Sequence, residues 1–176
     1  MSYVSPIQQK QSIADLLKDK PSNVPPSEKD VAAFSKALAP SLQLAETTVI
    51  ELIDGGPGHA ALHIDDGKGS PFLYDPAGSY MPKNGVRSSD LMSGEDASLA
   101  NYTKFWQDRK DTVHLHKLDT TPAQEQAIMK RAEQIGSVPA PLCASSVSKA
   151  LDGVCGIEGS IWPSTLGENA EHANCK

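Results

Sequence analysis

Apolar and polar positions change rhythm near residue 46. Before it, Ile13, Leu16 and Leu17 form a short apolar stripe that Pro21 ends. Val31, Phe34 and Leu38 then recur at helical spacing behind a Ser27–Asp30 capping pair, until Pro40 stops them. PSNVPP, between the two stripes, is a linker by composition. Residues 1–45 therefore read as an N-terminal helical extension, suited to packing or docking, and 46–176 as the main domain. From Thr47 the period shortens to two. TTVIELI, HAALHI and FLYDP are short β-branched or apolar segments separated by DGGPG and DDGKG, which predicts an antiparallel meander with Asp65 and Asp66 in a turn.

The stretch from Pro82 to Ala100 is polar and reads as a long surface loop. NYTKFWQD predicts a short helix turning Phe105 and Trp106 inward. VHLHKL alternates, with Val113, Leu115 and Lys117 on one face and His114, His116 and Leu118 on the other. TTPAQEQAIMKRAEQIG carries the strongest helix signal: Thr121 as cap, Pro122 in the first turn, Gln124 at the capping-box position and Gly136 as stop. A further helix runs from Cys143 to Leu151 and ends at Gly153, after which the tail shows no sustained period. Strands in the middle with helices at both ends predict an α+β fold, a central antiparallel sheet packed against helices.

The 176 residues suffice for one domain with a real core. Sixteen Lys and Arg against 22 Asp and Glu leave a net charge of −6, and no basic cluster offsets it locally, which excludes a nucleic-acid-binding footprint. No apolar run approaches the roughly 20 residues of a membrane span. MSYVSPIQQKQ has neither the basic nor the apolar region of a secretory signal.

Candidate chemistry centres on Cys143. A thiol opening a helix and followed by Ala144, Ser145 and Ser146 meets the positive end of the dipole, which favours thiolate, and free N–H groups that can hold an oxyanion. The alternative is a buried structural cysteine. A nucleophile needs a base, and His59 is the best placed of five histidines, at a strand start beside a Gly-rich turn. His63 lies four residues on, roughly 13 Å along the strand, too far to serve the same thiol, and reads as a half-exposed strand residue. Asp75 falls on the next strand, either as an orienting carboxylate or as an ordinary turn residue before Pro76. His114 and His116 share a face and could hold a metal with a carboxylate or Cys nearby, which makes a metal-binding protein a third reading, but they have no third ligand in sequence, so no metal or other cofactor is expected. A Cys155–Cys175 bridge would close a loop of about 20 residues, contribute roughly 3 kcal/mol and leave Cys143 free.

The order His, carboxylate, Cys, carried by GHAALHI, LYDPAGSY and LCASSVSKAL, resembles the circularly permuted NlpC-type branch of the papain-like cysteine hydrolases. IEGSIWPSTLGENAEHANC is similar to the ends of toxin domains in bacterial polymorphic toxins and type VI secretion effectors. The resemblance covers roughly residues 47–176. It implies a papain-like fold and a secreted effector exported without a signal peptide. It also implies amidase or peptidase activity on cell-wall peptides or a target-cell protein, with Cys143 as nucleophile, His59 as base and Asp75 as orienting residue. Implied partners are a peptide, peptidoglycan or protein substrate, and an immunity protein or secretion component. Lipid-directed acyl-ester hydrolases share the permuted order, and a non-catalytic effector that binds a target protein is the contrasting reading.

Overall fold

The computed structural model describes residues 46–65, 69–83, 85–87 and 89–175; the helical readings for residues 1–45, and Asp66, lie outside them. Five strands form one antiparallel sheet: β1 (Glu46–Ile53), β2 (His59–Asp65), β3 (Phe72–Tyr74), β4 (Leu91–Ser93) and β5 (Thr112–Leu118), in the order β4-β3-β2-β1-β5. Among the described residues four helices accompany it: α1 (Leu99–Gln107), α2 (Pro122–Ile135), α3 (Cys143–Ala150) and α4 (Pro163–Glu171). The protein is α+β.

Strand alternation sorts the core into two layers. Val49, Ala60, Leu62, Ile64, Phe72, Tyr74 and Leu118 face α2, α3 and α4, where they meet Ile128, Val147 and Leu166. Ile50, Leu52, Ala61 and Leu73 point to the other face, covered by Tyr80, Met92, Ala97 and Tyr102. With both faces covered, β1 and β2 are buried along nearly their whole length. Glu51 is therefore buried despite its charge. The edge strand β5 departs from this. Leu115 lies in solvent, because β5 is at the rim of the sheet.

The capping box on α2 forms as its sequence predicts. Gln124 N donates to Thr121 Oγ1 at 3.3 Å, and Thr121 N donates to Gln124 Oε1 at 2.8 Å. Two readings need correction. The segment 82–100 is not simply a surface loop: it contains β4, a 3₁₀ turn over Gly94–Ala97 and the start of α1, and Arg87 and Asp90 turn inward from it. The tail is not aperiodic coil either, since α4 occupies its middle. Its inward positions are Pro163, Leu166, Gly167 and Ala170, a face of mostly small residues that packs closely on β1 and β5 without a run of large apolar side chains.

Candidate active site

His59 starts β2 immediately after a tight turn. Gly58 there has φ +78°, and a Cβ would lie 2.8 Å from the Leu52 carbonyl oxygen, so only glycine brings the chain into the strand at this angle. The His59 side chain shares a face with Leu52, its partner across β1. On the neighbouring strand Asp75 follows Tyr74 and projects to the same side. His59 Nε2 and Asp75 Oδ1 are 2.6 Å apart. Trp106 is a ring neighbour of the imidazole, the two centroids 6.3 Å apart.

Asp75 is completely buried and held by more than histidine. Tyr102 donates its hydroxyl to Oδ1 at 2.8 Å, and Arg87 donates Nη1 to Oδ2 at 2.7 Å. The Arg87 guanidinium also donates to the Asp75 carbonyl at 2.8 Å and to Asp90 Oδ1 at 2.9 Å. Asp90 in turn accepts from the backbone N–H groups of Ala77 and Val138. Gly78 closes the turn behind the carboxylate, and any Cβ there would collide with Asp75. Burial alone would raise the Asp75 pKa; hydrogen bonds and charge from His59, with Arg87 and Tyr102, outweigh it and hold the carboxyl below its ordinary value. An ionised buried carboxylate with this many donors is what a fixed anion requires.

Cys143 opens α3, and Leu142 at its N-cap supplies no side-chain acceptor for the first-turn N–H groups. The thiol is hydrogen-bonded to His59. Since His59 Nε2 is committed to Asp75, Nδ1 is the nitrogen left for sulfur. Burial opposes ionisation of the Cys143 thiol, but the His59 hydrogen bond, backbone hydrogen bonds from Ala60 and Ala144, and the His59 charge lower its pKa. Burial likewise opposes charge on His59. Its hydrogen bonds to Asp75 and Cys143, and the charges of both, raise its pKa to about 9. Both shifts favour the charged pair, thiolate beside imidazolium. Only 8% of Cys143 is exposed, while its chain neighbour Leu142 lies in solvent.

The structure thus brings Cys143, His59 and Asp75 together. Cys155 and Cys175 are disulfide-bonded, and Cys143 is the free thiol. His63 is buried rather than half-exposed, because α1 and the 3₁₀ turn cover that face; it bonds the Ala97 backbone, and burial lowers its pKa. His114 and His116 point to the opposite face of the sheet from His59, and His172 caps the end of α4 in solvent; none of them joins the triad. Arg87, Asp90 and Tyr102 escaped the sequence reading: Arg87 and Asp90 reach inward from a segment without a pattern of its own, and Tyr102 lies on a helix expected to turn Phe105 and Trp106 inward.

No protein-family model, curated protein or solved structure matches this chain. Among the described residues, no helix is long and apolar enough to cross a membrane.

Proposed function

We propose that this protein is a Cys–His thiol hydrolase of the circularly permuted NlpC-type, papain-like kind, acting as a secreted bacterial effector on an amide bond of a cell-wall peptide or a target-cell protein. The observation that carries the reading is the array Asp75–His59–Cys143, a buried anion holding an imidazole against a thiol at a helix N-terminus. The Cys143 thiolate attacks the carbonyl carbon, forming a C–S bond while first-turn N–H groups hold the oxyanion. The C–N bond then breaks, and the leaving amine takes the proton from His59. Water adds to the thioester as His59 accepts its proton, the C–S bond breaks, and the thiolate returns. Asp75 keeps the ring in one orientation and stabilises its charged form. An immunity protein protecting the producing cell belongs to the same reading.

The test is alkylation of Cys143 by iodoacetamide across pH, followed by mass spectrometry, alongside cleavage of cell-wall stem peptides. Fast alkylation well below pH 8 that disappears in His59→Ala, with cleavage lost in Cys143→Ala, supports the proposal. A thiol indifferent to His59, or cleavage that survives Cys143→Ala, refutes it.

A further inference from the structure

On the sheet face opposite the triad, β1 and β5 place Glu51 directly across from His114, with His116 two residues along the same strand and on the same side. Each residue offers one ligand atom, and the three atoms lie within 4.8 Å of one another. Glu51 Oε2 is 3.4 Å from His114 Nδ1 and 3.3 Å from His116 Nε2. Tetrahedral zinc with bonds of roughly 2.0–2.1 Å sets its ligand atoms roughly 3.3–3.4 Å apart, so both carboxylate–imidazole spacings already match and only the two imidazoles must draw together. Glu51 and His116 are nearly buried, whereas 48% of the His114 side chain is exposed, which opens one side of the cluster to solvent.

Helix α4 crosses directly above. A Cβ at Gly167 would stand 2.7 Å from Glu51 Oε2 and 2.7 Å from His116 Nε2. Glycine inside a helix costs about 1 kcal/mol relative to alanine. Here it keeps free a space bounded by a carboxylate oxygen and an imidazole nitrogen, which any side chain would fill. Neither histidine serves the triad, so the mechanism leaves this donor set unused.

We propose that Glu51, His114 and His116 form a binding site for a divalent transition-metal ion, with Zn²⁺ as the best match to two imidazoles and one carboxylate. The fourth coordination position opens toward solvent beside His114, where water or a small anion can enter. The ion ties the edge strand β5 to β1 beneath α4, independently of the thiol chemistry on the other face.

Isothermal titration of chelator-stripped protein with Zn²⁺ tests this. Cys143→Ser serves as the background, removing the only free thiol as a competing ligand. One ion per chain should bind, and His114→Ala, on an exposed edge position, should weaken binding by more than about 100-fold, beyond the 10–100-fold that loss of an outer partner costs. Glu51→Gln, which preserves volume, should weaken it comparably, with circular dichroism verifying the fold of both variants. Absence of binding overturns the assignment, as does binding unchanged in His114→Ala. Cobalt(II) substitution in the wild-type chain gives an independent readout: a thiolate charge-transfer band with no cobalt retained in Cys143→Ser would assign the ion to the thiol site and likewise overturn it.

Discussion

Replacing Asp75 with asparagine removes one charge while keeping size and shape. In the native protein Asp75 accepts from His59 and Tyr102 on one oxygen and from Arg87 on the other. An amide has one acceptor end, so its NH₂ group must face either the guanidinium donors or the imidazole. His59 is pushed up to about 9 from its ordinary 6.5, worth roughly 3 kcal/mol in favour of the charged ring. With the anion gone, burial works against imidazolium with only Cys143 opposing it, and the thiolate loses its partner. Cys143 should then titrate at or above the ordinary thiol value of about 8.5, leaving about 1% thiolate at pH 6.5. Because Cys143 is the only free thiol, iodoacetamide reports on it alone. The expected result is an alkylation rate at pH 6.5 up to about 100-fold below wild type, converging above pH 9. Tyr102→Phe, which removes a donor but leaves the charge, should keep most of the low-pH reactivity. An asparagine variant that folds and still alkylates rapidly at pH 6.5 would refute the claim that Asp75 charges the pair.

Arg87→Ala leaves Asp75 and Asp90 without their shared cation and should destabilise the fold by about 3–5 kcal/mol, read by denaturant titration. Gly78→Ala drives a methyl into the Asp75 carboxylate and should cost about 1–3 kcal/mol, with slower Cys143 alkylation in the same samples. On the alkaline side, amide cleavage should fall as pH rises through about 9, because His59 then lacks the proton for the leaving amine; a pH–rate profile checks this. On the acid side the Asp75 pKa is lower folded than unfolded. Its contribution is therefore present above about pH 3.9 and lost as pH falls through the folded value, so acid unfolding of Asp75→Asn should be shallower than that of the wild type. Reducing the Cys155–Cys175 bridge, which spans 20 residues, should lower stability by about 3 kcal/mol and the melting temperature by roughly 6–12 °C.

β1, β2 and β3 were legible because a period of two interrupted by Gly-rich turns has few other solutions, and α2 because Thr121, Pro122 and Gln124 write a start signal in adjacent residues; β4 was not, since it is three residues inside a polar stretch. Helix α4 was not, since Leu166 is the one large apolar residue facing inward and its fit depends on what Gly167 avoids. Cys143, His59 and Asp75 stood out because each occupies an element end, where backbone geometry exposes a side chain to chemistry. Their supports did not. Arg87 and Tyr102 meet Asp75 from 12 and 27 residues away, and nothing local distinguishes them from other polar or aromatic positions. Glu51 carried no signal of its own in the sequence, because its burial depends on α4 packing against β1.

The spacing of the triad along the chain has its own consequence. His59 and Asp75 are 16 residues apart on adjoining strands, so a local hairpin suffices to join them. Cys143 arrives from 84 positions beyond His59, on a helix that docks only against the assembled sheet. Closing that long connection carries an entropic cost that the docked helix must offset. A nascent or partly folded chain therefore carries an ordinary, sluggish thiol, and nucleophilicity is a property of the finished tertiary structure alone. In the proposed hydrolase, Cys143 reactivity is in effect a built-in gauge of foldedness.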